Sequence, residues 1–300
     1  SPMKNVAILV STLKSGGAEK QSIFLLNALK DNCKIHLIVF YGERIEDKLI
    51  RLIKGGNYNL IQLEGHSLIK IFHLYTIFKT KQITHLFAYL TKPDFYGAII
   101  GRLAGIKYIY TNIRTSKLPY WKILLEKISS NYLATATIFN SHSGAGIFRG
   151  KGIKKRIVIP NCFPEIASFF RREQKQIIKI ISVGRFVEEK DFFTAIRAIK
   201  ELRANRNGCI FQIVGYGPLE NKIRSKIKEL KLEDTVEIFI NPNNIEELLK
   251  EADIYLSTSL FEGTSNSIME AMNASLPIVA TNVGDNNRLV SEGENGFLHN

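Results

Sequence analysis

Ser257–Gly284, STSLFEGTSNSIMEAMNASLPIVATNVG, is the stretch that decides how this chain folds. Just upstream, Ile254 to Thr258 is a β-branched and aromatic run ending in small polar residues, the pattern of a buried strand in a parallel sheet. Ile268, Met269, Ala271 and Met272 then mark the apolar face of a helix, with Ser265 or Asn266 placed to cap its start. Pro277 ends that helix, and Pro277 to Thr281 reads as the next strand. The unit predicted is strand, loop, helix and strand, joined by a right-handed crossover.

Two carboxylates mark the unit, Glu262 in the loop and Glu270 in the second helical turn. Both fall near the carboxyl end of the strand, where open α/β sheets bind ligands. The backbone N–H groups from Thr264 to Ser267 leave a helix N-terminus, which favours phosphate by ~0.3–1 kcal/mol. Amides for an anion beside carboxylates for hydroxyls suit a nucleotide sugar. Taken alone, the two glutamates also fit solvated surface charges.

Upstream of this unit, Ile177 to Val183 is a strong strand that ends in Gly184-Arg185 and leads through Lys190 to a helix over Phe192 to Arg203. An anion bound at such a strand end needs positive charge, and hydrogen bonds to charged groups contribute ~1.5–3 kcal/mol. Arg185 and Lys190 at a strand end can supply it. Phe211 to Gly215, followed by Tyr216-Gly217-Pro218, makes a further strand and turn. Val236 to Ile240 reads as a strand and Asn244 to Lys250 as a short helix.

In the first half, Val6 to Thr12 is an apolar run that breaks at Ser15-Gly16-Gly17 before a helical pattern from Ala18 to Leu29. The Gly-x-Gly-x-x-Gly dinucleotide fingerprint is missing, and a plain tight turn remains an alternative. Ile35 to Phe40, Ile83 to Tyr89, Lys107 to Thr111 and Ala134 to Phe139 continue the strands, with helices at Phe95 to Ala104 and Tyr120 to Asn131. Such alternation predicts a doubly wound parallel sheet. Strand ends nominate Thr91, Asp94, Asn112, Arg114, Asn140 and His142 as cleft residues. Ser67 to Phe78 carries Leu68, Ile71, Phe72, Tyr75 and Phe78 at helical spacing and is expected to face the core, with a basic membrane-surface helix as the other option. Tyr120, Trp121 and the lysines at 117, 122 and 127 are expected to meet the acceptor or a membrane.

The 300 residues suit two domains, expected at 1–163 and 164–300, with Pro160 to Lys175 as the linker. Net charge is +13, and it is uneven: residues 1–150 hold 20 Lys/Arg against 8 Asp/Glu, residues 151–300 hold 21 against 20. A basic first half suggests an anionic partner, such as a phospholipid surface, a lipid diphosphate or nucleic acid, although a merely soluble surface explains it too. Cys33, Cys162 and Cys209 lie far apart without ligand spacing, which argues against a zinc site and for a cytoplasmic, reducing compartment.

The Glu-x7-Glu of Glu262 and Glu270, set in F-E-G…E-A-M…L-P-I-V-A-T, resembles the retaining glycosyltransferases of family 4, of the two-domain GT-B fold. The resemblance implies two Rossmann-like domains, the first for the acceptor and the second for the donor. It implies that Glu262 lies by the donor sugar and its leaving phosphate, that Glu270 binds the ribose hydroxyls, and that Arg185 and Lys190 match the family's diphosphate-neutralising pair. Gly16-Gly17-Ala18-Glu19 is similar to the N-terminal glycine loop that approaches the donor diphosphate, and Gly215-Tyr216-Gly217-Pro218 to the turn beside the nucleotide. Donor contacts are thus expected at Gly16, Gly17, Gly184, Gly215, Gly263, Thr264, Ser265, Asn266, Ser267 and Glu270, and acceptor contacts at Asn112, Arg114, Tyr120 and Trp121. The chain departs from the family's N-G-x-D turn at Cys162-Phe163, and has Gly284-Asp285 and Arg288 where the family has a glycine pair and a glutamate. The family continues past the Gly296-Phe297-Leu298 strand, so the C-terminal domain is expected to be incomplete at Asn300.

The function implied is a metal-independent, retaining hexosyltransferase that needs no cofactor. It would move a sugar from a nucleotide diphosphate sugar, UDP-linked by expectation, to a lipid-linked or polysaccharide acceptor in cell-surface glycan synthesis, from the inner face of the plasma membrane. No Asp-x-Asp occurs to chelate a metal-bound diphosphate. Two alternatives stay open: a GT-B sugar-nucleotide epimerase, and a non-enzymatic basic domain that binds nucleic acid or anionic membrane, although no nucleic-acid motif is present.

Overall fold

The computed structural model describes residues 3–14, 16–89, 91–114, 118–163, 176–205 and 208–300, without the side chains of Lys48 and of residues 91–94. Two compact units divide between Cys162 and Phe163. The boundary expected from sequence lies one residue further on, and of the linker expected at Pro160 to Lys175 residues 164–175 fall outside the described residues.

The first unit runs β1 (Lys4–Val10), α1 (Gly17–Leu29), β2 (Cys33–Val39), α2 (Asp47–Ile50), β3 (Tyr58–Gln62), α3 (Ser67–Thr80) and β4 (His85–Tyr89). It continues with α4 (Thr91–Leu103), β5 (Tyr108–Ile113), α5 (Tyr120–Ile128), a π turn (Ser129–Leu133), β6 (Ala136–Phe139), α6 (His142–Gly150) and β7 (Arg156–Val158). Its parallel sheet has the order β3-β2-β1-β4-β5-β6-β7. The right-handed crossover rule puts α1 and α2 on one face and α3 to α6 on the other. Two cores agree with that split: Ile23 and Leu26 of α1 pack on Val6, Ile8 and Leu37, whereas Leu74, Phe78, Ala98 and Ile100 pack on Ala7, Leu9 and Leu86. The last residue of the unit is clamped to α1, since Gln21 Nε2 donates to the Cys162 carbonyl at 2.8 Å and the Cys162 amide donates back to Gln21 Oε1 at 2.9 Å.

The second unit runs β8 (Ile178–Val183), a 3₁₀ turn (Glu188–Lys190), α7 (Phe192–Asn205), β9 (Cys209–Gly215), α8 (Glu220–Glu229), β10 (Val236–Ile240) and α9 (Ile245–Glu251). It closes with β11 (Ile254–Ser257), α10 (Asn266–Asn273), β12 (Ile278–Thr281), α11 (Asn286–Leu289) and β13 (Gly296–His299). Here the order is β10-β9-β8-β11-β12-β13, again parallel. Both sheets therefore carry the topological reversal that opens a ligand crevice at the strand carboxyl ends. In the first unit it lies between β1 and β4, in the second between β8 and β11.

One expectation is corrected. The helix at Ser67 to Phe78 packs on the core as expected through Phe78 and Ile71, but three residues of the expected inner face do not: Leu68 and Phe72 are 74% and 69% exposed, and Tyr75 is also exposed. Leu74 and Phe78 take the inward positions together with Lys70, whose ammonium lies 4.8 Å from the Tyr41 ring centroid and 5.6 Å from that of Phe40. A long apolar stem ending on two aromatic faces lets the lysine occupy a core position.

Candidate active site

The reversal point of the second unit is built from two strand ends. After β8 the chain passes Gly184 and Arg185, makes the 3₁₀ turn, and enters α7 at Asp191, which stands in the left-handed region (φ 40°) and accepts the Thr194 amide on Oδ1 at 3.2 Å. That carboxylate caps α7 in the manner expected of an acidic residue at a helix start. After β11, Thr258 ties the two strand ends together by donating from Oγ1 to the Asp191 carbonyl at 2.8 Å, and the Leu260 amide donates to the Glu189 carbonyl at 2.9 Å.

Those ties bring Lys190 and Glu262 into contact. Lys190 Nζ donates to Glu262 Oε1 at 2.5 Å, and Ser259 Oγ donates to the same oxygen at 2.9 Å. The side chains are 24% and 12% exposed, so the pair is largely withdrawn from water but reachable from the open end of the sheet. Ser259 was not foreseen from sequence, although its place three residues before Glu262 in a strand-end loop was a usable signal. Gly184 packs against the Lys190 stem: a Cβ there would sit 3.4 Å from its Cδ and Cε.

The loop that carries Glu262 is held from behind. The Asp285 amide donates to the Gly263 carbonyl at 3.0 Å, and Thr264 Oγ1 donates to Asp285 Oδ2 at 3.4 Å. Gly284 lies at φ 57°, and a Cβ on it would fall 2.4 Å from the Glu262 carbonyl oxygen. The glycine is thus required by both its backbone region and the close approach of the loop. Asp285, where the resembled family has a second glycine, is the residue that fastens this loop. Ser265 rather than Asn266 is the N-cap of α10, accepting the Ile268 amide at 3.5 Å.

Beneath the pair lies Tyr255, buried in β11, whose hydroxyl donates to the Val183 carbonyl at 3.2 Å. Burial pushes its phenol well above the ordinary range, and the nearby charges of Glu262 and Glu270 push it the same way. Both glutamates therefore act on one point of the reversal crevice. The enclosed part, lined by Ser182, Lys190, Tyr255, Ser257 and Ser267, measures about 10 Å³, the room of a single water. Arg185 is exposed at the mouth of the same loop and enters no ion pair among the described residues. Gly215 and Gly217 bring the β9 turn onto this loop. A Cβ on Gly215 would fall 1.8 Å from the Gly184 carbonyl oxygen, and one on Gly217 2.7 Å from that of Phe186.

In the first unit, a cavity of about 790 Å³ opens at the strand carboxyl ends, between Ser11 and Tyr41 on one side and Asn112, Arg114 and Trp121 on the other. Three of the four expected acceptor residues thus line one space, with Arg44 and Lys122 adding positive charge. Asn112 Nδ2 donates to the Ala88 carbonyl at 2.8 Å, and Arg114 donates to Asn161 Oδ1 while its guanidinium stands 5.1 Å from the Tyr89 ring centroid. Tyr120 is not part of the lining and is 83% exposed. Buried Glu126 is the acid of this cavity and was not foreseen. The side chains of Thr91 and Asp94, and Lys117, lie outside the described residues. At the glycine turn, Gly16 is the extended N-cap residue of α1, and a Cβ on it would fall 2.3 Å from Glu19 Oε2. That carboxyl is raised above its ordinary pKa chiefly by burial, against the opposing pull of hydrogen bonds from its own backbone and from Thr12.

Residues 165–300 match the family described as Glycosyl transferases group 1. The amylovoran biosynthesis glycosyltransferase AmsK of Erwinia amylovora is 35% identical over 132 residues, which cover 41% of this chain and 32% of AmsK. The chain thus spans about a third of the length of that relative. The N-acetylgalactosamine-N,N'-diacetylbacillosaminyl-diphospho-undecaprenol 4-alpha-N-acetylgalactosaminyltransferase of Campylobacter jejuni is 25% identical over 99% of this chain and 86% of its own length. Among solved structures, Anabaena Alr3699/HepE in complex with UDP and glucose superposes with a TM-score of 0.81 at 19% identity, covering 98% of this chain and 85% of HepE. The fold expected from the sequence, two parallel-sheet α/β domains of the GT-B kind, is the fold observed.

Proposed function

Because residues 165–300 of this chain belong to the group 1 glycosyl transferases, we propose that the protein is a retaining hexosyltransferase. It takes its sugar from a nucleotide diphosphate sugar, UDP-linked, and passes it to a lipid-linked acceptor in cell-surface glycan synthesis. The observation that carries this reading is the Lys190–Glu262 contact at the reversal point of the second sheet, with Arg185 on the same loop. Relatives acting on a diphospho-undecaprenol acceptor support the acceptor class, and UDP in the HepE structure supports the nucleotide.

In this reading the bond from the anomeric carbon to the diphosphate breaks while an acceptor hydroxyl attacks the same face. The leaving diphosphate takes the hydroxyl proton, so no second carboxylate at glycosidase spacing is required. Lys190 and Arg185 stabilise the charge that grows on the diphosphate, the role a metal fills in other transferases. An ammonium has three N–H donors. Lys190 directs one at Glu262 and keeps two for phosphate oxygens. Glu262 thus aims the lysine and stands beside the donor sugar, while Glu270 takes the ribose hydroxyls.

A thermal-shift panel of UDP-, GDP- and ADP-sugars in EDTA tests donor and metal together. A UDP-sugar at 100 times its Kd should stabilise by about 2.7 kcal/mol with the chelator present. A stabilisation that vanishes in EDTA would overturn metal independence, and one given only by a GDP- or ADP-sugar would overturn the nucleotide.

A further inference from the structure

The carboxylate of Glu262 does not hold its own orientation. The last torsion of a glutamate is broad, and an ammonium is a compact charge with rotating donors, so the Lys190 contact leaves the plane of the carboxylate undetermined. A second donor from another direction determines it, because the lone pairs of a carboxylate oxygen lie near its plane. Ser259 is that donor. Its Oγ gives a hydrogen bond of 2.9 Å to Oε1, the oxygen that also accepts from Lys190 Nζ, and neither bond uses Oε2.

Ser259 is itself held on both sides. It is 1% exposed and lies two residues past the end of β11, the strand that stands between β8 and β12 in the sheet. Towards β8, its neighbours Thr258 and Leu260 donate to the Asp191 and Glu189 carbonyls at 2.8 and 2.9 Å. Towards β12, Thr281 Oγ1 donates to the Ser259 carbonyl at 2.6 Å. A hydroxyl has one proton. Ser259 gives its own to Glu262, so Ser257 Oγ, 3.4 Å away, is the donor to Ser259. The chain of hydroxyls therefore has one direction, from Ser257 through Ser259 to a carboxylate that only accepts.

We infer that Ser259 is a positioning residue for the transfer. Anchored from β8 and β12, it turns the Glu262 carboxylate so that Oε1 serves Lys190 and Oε2 is presented to a hydroxyl of the donor hexose. The inference rests on the reading of Glu262 as the residue beside that sugar. It divides the work of the site: Lys190 holds the diphosphate, and Ser259, acting through Glu262, holds the hexose. Removing the Ser259 hydroxyl leaves the lysine–glutamate contact in place and frees the carboxylate to turn. UDP, which has no hexose, is then bound as before, and a UDP-hexose is not.

Titration calorimetry on the whole chain compares UDP with UDP-glucose, UDP-galactose and their 2-acetamido counterparts, for the parent, Ser259→Ala and Thr281→Val. Thr281→Val keeps the Ser259 hydroxyl and removes the group that fixes its backbone, so it decides the question should Ser259→Ala melt well below the parent. The parent should bind UDP and at least one UDP-hexose. Both variants should keep the UDP Kd within about twofold and bind that UDP-hexose more weakly, Ser259→Ala by about tenfold and Thr281→Val by about threefold, with a hydrogen bond to a charged group setting the scale. An unchanged affinity for the UDP-hexose in a variant that melts with the parent would overturn the inference and leave the donor reading standing. So would a loss shared equally by UDP and the UDP-hexose, the mark of a hydroxyl that only holds the fold. A parent that binds no UDP would overturn the donor reading and the inference with it.

Discussion

Arg185 differs from Lys190 in what it touches. Lys190 is fixed by Glu262, whereas Arg185 stands exposed on the same loop, available to a phosphate. Its replacement should leave the fold intact and act on the reaction. Arg185→Ala is expected to lower turnover of the donor by about 10 to 100-fold, on the ~1.5–3 kcal/mol scale of charged hydrogen bonds, and steady-state kinetics with unaltered kcat/KM would refute the role. A different residue carries a pH prediction. His36 is buried in β2, and desolvation lowers its pKa to about 4, aided by Lys34 and Lys81. Its folded pKa lies below the unfolded one, so the folded state binds fewer protons at intermediate pH. The stability involved is intact above pH 6.5 and is lost as pH falls from 6.5 towards 4, by about 3 kcal/mol. Melting curves of the parent and of His36→Gln should therefore converge or cross as pH falls through that window; a constant difference would show that the histidine is not held neutral by the fold.

Among elements, the loop between β11 and α10 is the one whose shape matters most, and Gly284 sets it from the neighbouring turn. Gly284→Ala brings a methyl group against the Glu262 carbonyl in a left-handed backbone. A cost of about 1–3 kcal/mol is expected, together with a fall in donor turnover because the Glu262 loop must shift. A variant as stable and as active as the parent would show that the loop is not held there. This loop and its flanking strands were legible in the sequence, since a β-branched run, a serine cap and Pro277 all mark local backbone states. Its tethers were less so, because Thr258 reaches the Asp191 carbonyl 67 positions away and Asp285 meets Thr264 across 21. Strand β3, with its partly polar Tyr58–Gln62 at the sheet edge, gave no alternating pattern to read. Helix α3 was read correctly as a helix that packs on the core, but Leu68, Phe72 and Tyr75 were assigned to its inner face and lie outside. Its apolar residues nearly encircle the axis, and only the Tyr41 and Phe40 rings that shelter Lys70 reveal which side is inward.

On the scale of the molecule, the two sheets repeat one plan with different surfaces. The first unit has a roomy cavity with basic and aromatic walls, and most of the net charge of the chain falls within it. The second holds 17 Lys/Arg against 20 Asp/Glu over residues 163–300, and one of its ion pairs, Lys190–Glu262, stands at the strand reversal. That contact is the core of the functional reading: a cation aimed by a carboxylate, with donors left over for a diphosphate. Titration calorimetry with UDP in EDTA, comparing the parent with Lys190→Ala, tests it most directly. The parent should bind at a single site, and Lys190→Ala should bind at least about tenfold more weakly, one charged hydrogen bond being worth ~1.5–3 kcal/mol. Equal affinities for the two proteins would contradict the account.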